Sequence, residues 1–204
     1  MDLFGLAEAE RQEALLGIER ISHWPGQRAP LLNTLQRILG PPGPKRLKLI
    51  ELGAGSGHLA RWISGELAAR GYDAEVLATD LVAHAGVKKL DCLKGTLPAA
   101  DLYYSSLLLH HLKDEEVARM LRLQAAKARL GFVHFDLQRN LLHFYLAKIL
   151  TRLGGFHRIN QVDALRSIQQ GYIRSELKAL SSAAGLASDI RWSFPFRWLL
   201  SWKR

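Results

Sequence analysis

Residues 51–57 read Glu51-Leu52-Gly53-Ala54-Gly55-Ser56-Gly57. They stand between a short apolar run, Leu47-Lys48-Leu49-Ile50, and a segment whose Leu59, Ile63 and Leu67 share one helical face. Glycines at alternate positions let a backbone turn tightly and bring its N–H groups close to a ligand at a helix N-terminus. The spacing predicts a helix from about Gly57 to Arg70, stopped by Gly71. Strand, glycine turn and helix in this order confine the fold to alternating α/β architectures, whose ligands bind beyond the carboxyl ends of the strands.

The pattern repeats downstream. Glu75 to Thr79 reads as a strand ending in Asp80, Val87 to Leu90 as one ending in Asp91, and Leu102 to Leu107 as one ending before His110 and His111. Asp114-Glu115-Glu116 places acidic side chains at the positive end of a helix running through Ala128, and Leu130 to Phe135 is the next strand. A mostly parallel sheet covered on both faces follows. Beyond Asp136 the alternation breaks. Leu141 to Leu153 and Glu176 to Ala184 look helical, separated by the polar segment Gly154 to Ser167, and Ile190, Trp192 and Phe194 with Phe196 to Trp202 read as a C-terminal antiparallel hairpin. Residues 1–40, with amphipathic helices at Ala7 to Arg20 and from Pro30, form an N-terminal helical cap closed by Gly40-Pro41-Pro42-Gly43-Pro44. One domain is expected over 45–204, with a helical insertion at about 138–184.

Composition narrows the class further. The lone Cys92 cannot form an internal disulfide, and no Cys/His cluster has zinc spacing, so neither staples nor a metal are expected. Residues 1–40 lack the order of a secretory signal, and no run of about 18 apolar residues occurs, which points to a cytoplasmic protein that does not span a membrane. The net charge of +9 permits attraction to nucleic acid, anionic lipid or an acidic substrate without selecting among them. Its spread along the chain favours a solvated face and a basic tail over a nucleic-acid groove.

Two details discriminate among ligands for the glycine loop. A dinucleotide fingerprint needs glycine at its sixth position, where this chain has His58, and Glu51 would repel a phosphate and favour a cationic ligand. No Gly-Lys-Ser/Thr follows, which excludes a nucleoside-triphosphate loop. An acidic residue followed by Gly-x-Gly-x-Gly resembles the first motif of class I S-adenosylmethionine-dependent methyltransferases, and the likeness covers residues 47–136. It implies a Rossmann-like class I methyltransferase sheet, with S-adenosyl-L-methionine packed by its amino-acid part against Gly53, Gly55 and Gly57. Asp80 ends its strand 23 residues after Gly57, close to the ~20-residue spacing at which an acid holds ribose hydroxyls. Asp91, beside the Cys92 backbone, resembles the family residue that accepts from the adenine amino group. Leu81 and Ser106, at the ends of their strands, complete the expected cofactor lining. Only Leu81 to Gly86 separates the second and third strands, too short for a covering helix.

The acceptor side carries fewer signals. His110 and His111 lie in Leu109-His110-His111-Leu112 after the fourth strand, a segment similar to one in small-molecule methyltransferases. Either histidine could line the cofactor or serve as base, and a base is needed only if the acceptor must lose a proton. Asp136 and Arg139 follow the fifth strand and could orient substrate. Asp136-Leu137-Gln138-Arg139 resembles the Asp-Leu-x-Arg segment of a bacterial small-molecule subgroup, which implies matches at Asp163, Ser167, Tyr172, Glu176 and Leu177, with Ala164 departing from the subgroup's glycine. His134, inside the strand, reads as packing. Leu141 to Leu150 is most simply a helix on the core. The alternatives are a lid wall for a hydrophobic substrate, with His143 and Tyr145 as pocket groups, or a helix lying on a membrane surface, aided by Trp198, Trp202 and the basic tail.

The expectation is an enzyme that transfers a methyl group to a hydroxyl or similar nucleophile of a hydrophobic small molecule. The rivals are an RNA or protein methyltransferase, favoured by the charge, and a non-catalytic S-adenosylmethionine-binding module. No Asn/Asp-Pro-Pro-Tyr tetrad follows the fourth strand.

Overall fold

The computed structural model describes residues 28–83, 85–94 and 97–204. The expected helix at Ala7 to Arg20 lies outside them. The described elements are α1 (Arg28–Leu39), β1 (Leu47–Leu52), α2 (His58–Ala69), β2 (Ala74–Asp80), β3 (Lys88–Lys89), β4 (Ala100–Ser106), a 3-10 turn (Leu109–His111), α3 (Asp114–Lys127) and β5 (Ala128–Leu137). After these come α4 (Leu141–Leu153), α5 (Arg158–Gln170), α6 (Arg174–Ala183), β6 (Asp189–Ser193) and β7 (Arg197–Lys203).

The strands form one seven-stranded sheet in the order β3-β2-β1-β4-β5-β7-β6. β1, β2, β3, β4 and β5 pair in parallel, and β7 runs antiparallel between β5 and β6. Strand alternation sorts the side chains to two faces. Tyr103, Phe132, Trp198 and Leu200 meet α3 and α6 through Val117, Leu121 and Leu177, while Tyr104, Val133, Phe135 and Leu199 meet α1 and α2 through Leu31, Leu35, Ile63 and Leu67. These side chains are almost fully buried, at roughly 1.5–3 kcal/mol for each large apolar group.

The elements read from the sequence appear within a few residues of their expected places, with three differences. The polar segment after Gly154 contains α5. Its apolar Ile159, Val162, Leu165 and Ile168 fall at every third place among polar residues, so they drift round the helix without marking one face, and the His157 side chain accepts from the Ile159 N–H. In the hairpin Ile190 is buried, whereas Trp192 and Phe194 are exposed on the edge strand β6 and the turn after it. Trp198 is buried and its indole N–H donates to the Tyr172 carbonyl, while Arg204 bonds the carbonyls of Ala125 and Ala128, so neither is free to meet a surface. α1 belongs to the core, and α6 packs on α3, leaving α4 and α5 as the pair that stands off the sheet.

Candidate active site

The glycine loop crosses from β1 to α2 at the carboxyl edge of the sheet. It is tied to the neighbouring strand: the Ala54 N–H donates to the Thr79 carbonyl at 2.9 Å, and the Gly55 N–H donates to Asp80 Oδ2 at 2.8 Å. Gly57, at φ 71°, caps α2 in the left-handed region, and a Cβ there would come within 2.8 Å of the Val87 side chain. Gly55 is also left-handed, at φ 52°, but a Cβ on it would meet nothing within 4 Å. The loop therefore presents glycine to open space, as a cradle for a close-lying ligand does.

Glu51 lies beneath this loop, 2% exposed, with the Tyr104 hydroxyl at 3.4 Å from Oε2. Burial pushes its pKa up to about 8, against the opposing pull of Tyr104. A buried acid with so weak a partner is suited to a cationic group, such as the ammonium of an amino acid. Asp80, half-buried, keeps unshared lone pairs while holding Gly55. Asp91 caps its own turn by accepting from the Leu93 N–H at 3.0 Å, beside a half-buried Cys92 whose thiol is raised to about 11 by burial and by Asp91. Ser106 is half-buried at the end of β4, and Leu81 is exposed. Among the described residues no helix covers the β2–β3 connection. Backbone N–H groups, a buried acid and a carboxylate at each of the next two strand ends have the chemistry to meet a cationic, amino-acid-bearing nucleoside such as S-adenosylmethionine.

Leu108 joins this loop to the next part of the edge, since a Cβ on Gly53 would meet its Cδ1 at 2.8 Å. The 3-10 turn that follows brings His110 against Asp136. His110 Nδ1 donates to Asp136 Oδ1 at 2.6 Å, with both side chains 2% exposed. Asp136 also accepts the Leu109 N–H on Oδ2 and its neighbour's Leu137 N–H on Oδ1, each at 2.7 Å. Burial works against ionisation, but the His110 ring and these donors prevail and lower its pKa. Because Nδ1 is committed to the carboxylate, Nε2 is the ring's proton-accepting atom. Tyr172 braces the turn by donating its hydroxyl to the Leu109 carbonyl at 3.0 Å.

A cleft of about 320 Å³ opens over this pair, lined by His110, His111, Arg139, Tyr172 and Glu176 among others. Three of the four expected catalytic residues thus line one cleft, and the fourth, Asp136, supports it from below. The His111 ring is 4.1 Å from that of His110. Arg139 pairs with Glu176 and donates to the Gly171 carbonyl, which ties the end of β5 to α6. His134 is a satisfied core histidine, 2.7 Å from Ser105 Oγ and 2.8 Å from Gln124 Oε1, with its pKa lowered to about 3 by burial. The Tyr172 brace joins groups 63 residues apart and has no local sequence signal. Arg197, opposite Leu137, has none either. It is 4% exposed, burial lowers its pKa to about 10, and its Nε and Nη1 have no partner among the described residues.

No protein-family model matches the sequence, and no curated protein matches it. Solved structures do match. Human N-acetylserotonin methyltransferase in complex with S-adenosylmethionine superposes with a TM-score of 0.62 at 15% identity, over 96% of this chain and 56% of that one. Magnesium protoporphyrin IX methyltransferase from Synechocystis PCC 6803, with bound S-adenosylhomocysteine, gives 0.54 at 14% identity over 98% and 89%. The fold is that of class I S-adenosylmethionine-dependent methyltransferases. The chain spans just over half the length of the first of these structures. An enzyme described as catalysing a pericyclic reaction shares the fold as well, at a TM-score of 0.53 and 13% identity, so the reaction has to be argued from the site.

Proposed function

We propose that the protein is a methyltransferase that moves the methyl group of S-adenosyl-L-methionine to a hydroxyl or similar nucleophile of a hydrophobic small molecule. The observation that carries this reading is the buried His110–Asp136 pair, under a cleft and linked to the glycine loop through Leu108, which packs against Gly53. Bound S-adenosylmethionine supplies a methyl group already activated on a sulfonium, so the protein's part is alignment, exclusion of water and removal of the acceptor's proton. His110 Nε2 takes the hydroxyl proton, and Asp136 holds the ring in the productive tautomer and stabilises the imidazolium. His111 and Tyr172 shape the cleft beside it. Gly53, Gly55, Gly57, Glu51, Asp80, Asp91 and the Cys92 backbone hold the cofactor, with Leu81 and Ser106 at its margins. Arg139 acts through Glu176 as a clamp on the cleft wall.

The test is incubation with methyl-labelled S-adenosylmethionine and a fractionated small-molecule extract, with total RNA and total protein as parallel acceptors. Label is expected in an apolar fraction and absent with Asp136→Asn. Label confined to RNA or protein would replace the substrate class, and cofactor binding without label in any fraction would favour a non-catalytic module.

A further inference from the structure

α4 is turned inside out. Its Leu141, Leu142, Tyr145, Leu146, Ile149 and Leu153 are exposed by 39–81%. At ~100° per residue they occupy one continuous half of the helix surface, along about 20 Å of length. The inward half carries His143, Ala147 and Thr151, with Thr151 buried and bonded to the Ala147 carbonyl. Solvent-facing helices of globular proteins show the opposite arrangement. At the N-terminal end of the helix the exposed Trp192 donates to the Gln138 side chain, and Phe194 is 74% exposed with its ring edge-on to that of Trp192. Two further exposed apolar side chains thus stand at the β6 edge, tied through Gln138 to the segment that leads into α4.

We infer that α4, with Trp192 and Phe194, docks on an anionic lipid surface and lies in its interface. Charge selects this occupant. α4 contains no acidic residue, and Lys148 and Arg152 fall along one border of the apolar half, where long basic side chains reach lipid headgroups while their stems stay in the apolar layer. A second copy of this chain would bring a net +9 against +9 and would set the Lys148–Arg152 borders close together. RNA would meet an apolar face with few donors. Trp192 is the residue type that sits at membrane interfaces. Among the described residues no helix is long and apolar enough to cross a membrane, so the contact is with the surface. The docking stands apart from the methyl-transfer reading. Where that reading holds, β5 leads directly into α4, and the cleft opens near the phase in which an apolar acceptor dissolves.

The test is co-sedimentation of the whole protein with vesicles of phosphatidylcholine alone and of phosphatidylcholine with phosphatidylglycerol. Partitioning should be at least roughly tenfold stronger with phosphatidylglycerol and should weaken in high salt. Leu142→Glu with Ile149→Glu should cut it by roughly 100-fold, and Lys148→Glu with Arg152→Glu should remove the preference for anionic lipid, both variants melting as the unaltered protein does. Failure to bind phosphatidylglycerol vesicles, or binding that both pairs of substitutions leave unchanged, would overturn the inference. So would a dimer in light scattering that Leu142→Glu with Ile149→Glu dissolves.

Discussion

At the β1–β2 end of the carboxyl edge, the groups that would face a ligand are backbone N–H groups, glycines and one acid at each strand end. At the β4–β5 end they are side chains drawn from three distant segments: His110 from the 3-10 turn, Asp136 from β5 and Tyr172 from the connection into α6. The first end is specified by conformation, because glycine takes up those left-handed φ values with the least strain. The second is specified by partners, each buried polar atom being held by another. A cofactor common to many proteins can be met by a local motif, whereas an acceptor peculiar to one protein is met by side chains that the rest of the fold must bring together.

The sharpest way to break this comparison is Asp136→Asn. The amide keeps the shape but sets an N–H against the Leu109 N–H or the His110 Nδ1–H. kcat should fall by about a thousandfold, within the range usual for removing acid–base assistance, while calorimetric affinity for S-adenosylmethionine stays unchanged. Equal loss of both would mean that the two ends form one unit. Gly57→Val probes the other end: a side chain at φ 71° with Val87 at 2.8 Å should weaken cofactor binding by about 10- to 100-fold through strain of about 1–3 kcal/mol. Unaltered affinity would remove the loop's conformation from the binding argument.

This division also governs what can be read from the sequence. The strands, the glycine loop and the acids at strand ends are legible because each signal is local: a period of two, a period of 3.6, or a turn-forming residue at a boundary. Asp136 and His110 stand out by their places after strands, but their contact needs β4 and β5 to be neighbours in register. α5 is hidden because its apolar residues are diluted by Asn, Gln and Arg. The helix α4 is legible and its orientation is not, since periodicity shows that an apolar face exists without showing which way it turns. Trp198 and the basic tail, expected at a surface, are held by the carbonyls of Tyr172, Ala125 and Ala128.

A milder probe of the cofactor end is Asp80→Ala. Its carboxylate holds the Gly55 N–H at 2.8 Å, and in the proposed site it also accepts from the ribose. Removing a charged acceptor should weaken S-adenosylmethionine binding by about tenfold. The same substitution should leave kcat at saturating cofactor near its original value. Unchanged affinity would free Asp80 from the ribose role, and a lowered kcat would carry its influence across to the His110 end.

The smallest effect is a slope, and it isolates Glu51. Its folded pKa, raised to about 8 by burial, lies above that of the unfolded chain. Between about pH 4.5 and 8 the folded state therefore binds more protons than the unfolded one, so stability falls as pH rises through this window and levels off above it. Glu51→Gln removes the titration while keeping the hydrogen-bonding shape. The melting temperatures of the two proteins should agree near pH 4.5. Above it they should separate in favour of the amide variant, by up to about 1.4 kcal/mol, or about 3–6 °C, per pH unit. S-adenosylmethionine should narrow the gap, because its positive charge favours the ionised carboxylate and the amide offers it less. Parallel pH profiles without cofactor would show that Glu51 is ionised throughout, and a gap that the cofactor leaves unchanged would place its positive charge away from this acid.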